Sequence, residues 1–185
     1  MSSSLGLASG TVRVVPYDPE WPRLFDAEAL RLREALAPLA IVLEHTGSTS
    51  VPGLAAKPVL DMLAGVPSDA PIEPYIAALV AAGYVHRGEQ GVPGREFFRR
   101  GDPRSYHIHL TRIGSAFWYE HIIFRDYLRT HADARDDYAR LKRALADRFP
   151  TDRGAYIDGK ASFIRGVIAR GKAPQPGDPP SERRS

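Results

Sequence analysis

The stretch EHTGSTSVPGLAAKPVLDML, residues 44–63, links two apolar segments through a loop of small residues. Residues 40–46 and 59–66 read as strands, and Asp61 is the odd polar residue in the second. Gly47 permits close backbone approach, while Ser48, Thr49 and Ser50 set hydroxyls beside main-chain N–H groups. Such a nest can cradle a phosphate, although a plain turn after a strand has the same composition. A carboxylate inside an apolar strand must be neutralised, paired or bound to a metal, because burying it bare is costly. Asp61 therefore implies a partner, with Arg95 and Arg99 as candidate cations and a metal ion as the alternative. The loop is not a Walker A sequence: Gly-Lys-Ser/Thr is absent, and Lys57 lies elsewhere.

Outward from this stretch, residues 12–15 predict a short strand. Asp18-Pro19 offers an N-cap with Pro at the first helical position, and Phe25, Ala29, Leu32, Leu36 and Leu39 recur at helical spacing. Ile72, Ile76, Leu79 and Val80 predict a helix closed by Gly83. Residues 97–100 and 106–112 predict strands around the turn Gly101-Asp102-Pro103. Beyond Ser115 the pattern is helical, through Tyr119, Ile123 and Tyr127, then Ala134, Tyr138, Leu141, Leu145 and Phe149. A last helix starts near Thr151 or Asp152 and carries Tyr156, Lys160, Phe163 and Val167. This order predicts an α+β fold: one mixed β-sheet packed with helices, and a helical carboxy-terminal half. Residues 12–170 are expected to form a single domain between flexible tails at 1–11 and 171–185. The second tail holds four Pro and too few apolar groups to offset its ordering entropy.

The chain of 185 residues has no Cys, which excludes a disulfide framework, a Cys-based zinc site and a thiol nucleophile. No apolar run approaches the ~20 residues that span a bilayer. The opening MSSSLGLASG has neither a basic n-region nor a long apolar h-region, so a cytoplasmic location without membrane partners is expected. Lys and Arg number 25 against 22 Asp and Glu, a net charge of +3, and the signs are interspersed. General nucleic-acid binding, which gathers positive charge into a patch, is not expected. Only four of the basic residues are Lys, at 57, 142, 160 and 172, which makes each an informative choice in an Arg-rich chain.

Three further groups carry chemistry. His107 and His109 flank Ile108 on a strand, so both rings share one face. They suit a transition metal, phosphate oxygens, or a hydrogen-bonded sheet face. Lys57, Arg95 and Arg99 supply cations near the same strands, Arg for bidentate and Lys for point contacts to phosphate. Tyr156 and Lys160 lie one helical turn apart, either as core packing with a snorkelling Lys or as a stacking ring and a phosphate-binding amine. Arg125-Asp126 and the charges of ARDDYARLKR read as surface pairs.

The runs PYDPEWPRLF (16–25), EHTGSTSVPGLAAKPVLD (44–61), REFFR (95–99), HIHL (107–110) and FRDYL (124–128), with Tyr156 and Lys160, together resemble the GrpB family of small bacterial proteins. The resemblance covers residues 13–168. It implies the nucleotidyltransferase fold typified by polymerase-beta-like enzymes, in which a Gly-Ser loop holds a triphosphate and an Asp-x-Asp strand binds Mg²⁺. Carried over, Gly47, Ser48, Thr49 and Ser50 become phosphate contacts, and Asp61 becomes the catalytic carboxylate and metal ligand. Lys57, Arg95, Arg99, His107, His109, Tyr156 and Lys160 become the nucleotide and phosphate lining. The implied activity is Mg²⁺-dependent transfer of a nucleoside monophosphate from a nucleoside triphosphate to an acceptor. The alternative is a non-catalytic module for a nucleotide or nucleotide-containing cofactor, because Leu63 replaces the second carboxylate of Asp-x-Asp. A two-metal site then needs Glu44 or Glu96. Some relatives are fused to dephospho-CoA kinase, which makes a coenzyme A precursor a further candidate ligand.

Overall fold

Residues 5–173 are described by the structure, a computed structural model. In chain order they form α1 (Trp21–Leu36), β1 (Val42–Thr46), a 3-10 turn (Ser48–Ser50), β2 (Leu60–Val66), α2 (Glu73–Ala81), β3 (Val85–His86), β4 (Glu96–Arg100), β5 (Tyr106–Arg112), α3 (Ala116–Thr130), α4 (Ala132–Arg148) and α5 (Arg153–Lys172). The α+β expectation is met. The strands make one mixed sheet in the order β1-β2-β5-β4-β3. β2 and β5 run parallel, and the other pairs run antiparallel.

Alternation along the strands sorts the two faces. Leu60, Met62, Ala64 and Val66 of β2, Ile108 and Leu110 of β5 and Phe98 of β4 are buried with Trp21, Phe25, Ala29 and Leu32 of α1 and Tyr75 and Leu79 of α2. The opposite face carries Asp61, Leu63, His107, His109, Phe97 and Arg99, as the registers Asp61↔His107, Leu63↔His109, Phe97↔His109 and Arg99↔His107 require. The carboxy-terminal helices lie beyond that second face. Leu128, Tyr138, Ala139 and Val167 of those helices pack with Val51 and Leu54 from the loop after β1. The loop between the first two strands is therefore clasped by the helical half, which is what places the polar face of the sheet at an interface.

Two caps start helices here: Ser115 accepts from Trp118 N at 3.1 Å, and Asp152 accepts from Ala155 N at 3.0 Å. Trp118 then lies against β2 at Gly65, where a Cβ would stand 2.5 Å from its ring. On the other face Glu28 of α1 is buried and accepts from Tyr84 Oη at 2.9 Å and Arg100 Nη2 at 2.6 Å, which pins α1 to the far side of the sheet.

Several expectations need correction. Residues 12–15 form no strand and contribute one bridge, Val15 to Ala56. The first helix begins at Trp21 rather than Pro19, because Asp18 instead turns the chain by accepting from Glu20 N at 2.9 Å. That helix stops before Leu39, since Pro38 has no N–H to continue it. Strand β3, two residues long, was not foreseen. Leu5 and Leu7, expected in a loose tail, are buried, with Gly6 N bonded to Pro58 O and Leu7 N to Arg104 O. The expected second tail lies outside the described residues from 174 onward. Among the described residues no helix is long and apolar enough to cross a membrane.

Filling the space at Gly65 tests how α3 seats on the sheet. Gly65→Ala is expected to lower stability by about 1–3 kcal/mol through overpacking against Trp118 and Ile113. An unchanged urea midpoint would contradict that seating.

Candidate functional site

Asp61 sits on β2 directly across from His107 on β5, because parallel registry pairs them. His107 Nδ1 donates to Asp61 Oδ1 at 3.0 Å, and His109 Nε2 stands 3.7 Å from the same oxygen, within ion-pair range but beyond a hydrogen bond. Burial pushes the Asp61 carboxyl up, but its contacts with His107 and His109 outweigh that and hold it well below the usual carboxylate range. Burial also lowers His107, against the pull of Asp61. The pair is an ionised carboxylate and a neutral imidazole. His107 Nε2 is buried and has no hydrogen-bond partner among the described residues, and the same is true of His109 Nδ1.

The turn before this strand is shaped around the carboxylate. Gly47 has φ 68°, and a Cβ there would stand 2.6 Å from Asp61 Oδ2. Both constraints demand glycine. The three hydroxyls then divide. Thr49 is buried and bonds His45 Nε2 at 3.0 Å, while Ser50 Oγ donates to Gly47 O at 2.7 Å. His45 is held near 4 by burial and stacks on Phe25 of α1 at 4.7 Å. From α3, Arg129 donates to Ser50 O from Nε at 3.0 Å and from Nη2 at 2.8 Å. Thr49 and Ser50 thus brace the turn. Ser48 faces the helical half, close enough to Tyr138 to act on its hydroxyl.

Three of the four lysines gather beside this turn. Lys57 Nζ lies 5.2 Å and Lys160 Nζ 4.5 Å from the Tyr156 ring centre. Lys142, 2% exposed, donates to Ala55 O and lies 4.7 Å from the Tyr138 ring centre. Burial lowers all three, Lys142 well below its usual range and Lys160 to about 8. Lys57 and Arg153 add to the lowering of Lys160, and among the described residues Asp61 is the carboxylate that acts on all three. Among the described residues, none of the three lysines is in an ion pair. Arg153, at the start of α5, has a buried Nε without a partner.

Other candidates lie apart or act differently. Arg99 is across from His107, on the site face. Arg95 is at the other end of β4, stacked over Phe97 and Phe117 at 5.3 and 5.8 Å and bonded to Glu89 O at 2.6 Å. Neither arginine pairs with Asp61; the histidines do. Tyr156 is 1% exposed beneath Lys57 and Lys160, which leaves its ring no free face for a base. Arg125 and Lys142, read as surface charges, are buried. Spacing carried a signal for Lys142, since Tyr138 and Lys142 are one turn apart on the apolar stripe. Arg153 had none.

The carboxylates needed for a resident Mg²⁺ are not assembled. Mg²⁺ wants near-octahedral oxygen ligands. Leu63 is buried where a second carboxylate would stand, Glu44 is tied to Arg125 at 2.7 Å, and Glu96 bonds His86 at 2.6 Å on the opposite face. Asp61 alone, capped by His107 and ringed by ammonium groups, does not fit the ion. No group of three His, Asp or Glu side chains among the described residues is placed to hold a metal together. A neighbouring hollow of about 280 Å³, lined by Phe25, Glu44, His45, Arg125 and Arg129, has cations already paired, Arg125 with Glu44 and Asp126 at 2.7 Å each.

Comparison with known proteins follows the same outline. The profile described as GrpB protein matches residues 11–170. The chain belongs to the GrpB family. A UPF0157 protein of Pseudomonas aeruginosa is 41% identical over 88% of this chain and 68% of its own length. The UPF0157 protein YqkA of Bacillus subtilis is 38% identical over 83% of this chain, which spans only 45% of that protein. A protein of Mycolicibacterium paratuberculosis named dephospho-CoA kinase is 30% identical over 91% of this chain and 48% of its own length. The crystal structure of GrpB from Enterococcus faecalis matches with a TM-score of 0.78 at 33% identity, covering 86% of this chain and 96% of that one. The Cid1 poly(U) polymerase with MgGTP bound matches with a TM-score of 0.52 at 15% identity, over 73% of this chain and 45% of that one. This likeness supports the nucleotidyltransferase fold for this GrpB chain.

In this GrpB protein the Gly47–Asp61 contact sets the turn. Gly47→Ala is expected to shift the turn off the carboxylate and to cost about 1–2 kcal/mol from the positive φ alone. Chemical unfolding measures this. Parent-like stability together with unchanged Asp61 and His107 NMR shifts would contradict the packing described.

Proposed function

We propose that this chain binds a nucleotide through its phosphates, at the cluster of Ser48, Lys57, Lys160 and Arg153 beside the turn at residues 47–50. One observation carries the reading: three lysines gather beside one turn, and among the described residues none of them is in an ion pair. Burying like charges side by side is unfavourable unless an anion joins them. A polyphosphate supplies several negative charges in a row, and Lys makes point contacts to each. The nucleotidyltransferase fold agrees with a nucleoside triphosphate, and the relative named dephospho-CoA kinase makes dephospho-CoA a second ligand to try.

Nucleotidyl transfer is a second reading, favoured by the Asp61–His107 pair. A carboxylate that holds Nδ1–H leaves Nε2 as a base, the logic of a carboxylate–imidazole dyad. In that reading an acceptor hydroxyl gives its proton to Nε2 as its oxygen attacks the α-phosphorus and pyrophosphate leaves. The Mg²⁺ that the family resemblance implied takes no part in this description, since the donor set does not fit it.

Melting curves with ATP, GTP, CTP, UTP and dephospho-CoA test the binding. At a hundredfold excess over Kd, a ligand stabilises the fold by about 2.7 kcal/mol. Lys160→Ala and Lys57→Ala are each expected to weaken binding about tenfold, the scale of one charge-assisted contact. Lys160 is near 8 among Lys57, Lys142, Arg153, Asp61 and Tyr156, so it loses its charge above that pH. Affinity should therefore hold below pH 8 and fall above it in the parent, and the fall should flatten in Lys160→Ala. Stabilisation by none of these ligands, or parent-like affinity in both variants, would remove the reading.

A further inference from the structure

The strand that carries two carboxylates in the Asp-x-Asp pattern here carries one, and that one is occupied. Asp61 Oδ1 receives His107, and its other oxygen lies against Gly47. The residue two along, Leu63, is fully buried on the same face, across from His109. The two other acids on the strands are spent elsewhere, Glu44 on Arg125 and Glu96 on His86. Against this single carboxylate stand Lys57, Lys142 and Lys160, with Arg153 and Arg104 also acting on Lys57. A divalent cation entering the pocket meets a net positive field. A polyphosphate entering alone meets a complementary one.

Lysine, arginine and Mg²⁺ are interchangeable in one respect: each neutralises phosphate oxygens. We infer that this site takes the metal-free polyphosphate, with Lys57, Lys160 and Arg153 supplying the positive charge that a divalent ion supplies in an Asp-x-Asp site. The inference rests on the phosphate-binding reading above and narrows it to one ligand species. The lost second carboxylate and the gathered lysines are then two sides of one exchange. Without a second carboxylate on the strand, the cationic side chains beside the turn lack a counter-charge that a polyphosphate would supply, and their charge makes a bound metal redundant. His107 and His109 fit the same picture. His107 donates to Asp61 and His109 stands within ion-pair range of it, so both occupy the carboxylate that a metal would otherwise claim.

Isothermal titration with ATP and with inorganic triphosphate, each in EDTA and in excess Mg²⁺, tests this directly. Both probes are expected to bind in EDTA, with no gain or a loss of affinity when Mg²⁺ is added. A gain of more than about threefold on adding Mg²⁺ overturns the inference. The two readings fail differently. Binding only with Mg²⁺ removes this inference and keeps the phosphate pocket, whereas no binding of either probe in either condition removes both.

Discussion

The Asp61 carboxylate presses on Gly47 so closely that any side chain there would overlap it, and this contact joins the loop to the sheet. Its consequences run in two directions. Toward the sheet, registry places His107 and His109 against the same carboxylate. Toward the helices, the turn presents Ser48 to Tyr138, and the adjoining loop brings Lys57 over Tyr156 and Ala55 O onto Lys142. Thr49 and Ser50 hold the turn from behind, through His45 to α1 and through Arg129 to α3. The site is thus built from four separate segments that one glycine lets meet.

Such a cluster is expensive for the free protein. Two like charges ~4 Å apart at an effective dielectric of 20 repel by about 4 kcal/mol. The structure limits that cost by lowering the lysine pKa values and by laying two ammonium groups on Tyr156 and one on Tyr138. A fold that only needed stability would place apolar groups at such positions. Tension of this kind between local charge and packing is expected at functional sites. The hollow beside Arg125 and Arg129 shows the contrast, since its charges are matched by Glu44 and Asp126.

Much of the fold was legible because alternation and helical spacing are local. Strand β2 could be read from the continuous apolar run of residues 59–66, and Asp61 stood out because it broke that run. What could not be read depends on neighbours distant in the chain. β3 is two residues long and exists only through pairing with β4. Leu5 and Leu7 are buried because Pro58 and Arg104 accept their segment, which nothing nearby announces. Gly47, Ser48, Asp61, Lys57, His107, His109 and Lys160 are candidates from motif and resemblance that the structure brings together. Thr49, Ser50 and Tyr156 have the residue types of ligand contacts but spend them on the turn and the core. Arg95 is diverted by aromatic stacking at the far end of its strand. Lys142 was assigned to the surface because its helix is densely charged, although its scarcity in an Arg-rich chain was a usable sign.

The most direct test of the phosphate pocket is a crystal structure with a non-hydrolysable ATP analogue, grown in EDTA. The account predicts phosphate oxygens within hydrogen-bonding distance of Ser48 and of the Lys57 and Lys160 ammonium groups. Phosphates found instead in the hollow beside Arg125 and Arg129, with the lysines untouched, would contradict it.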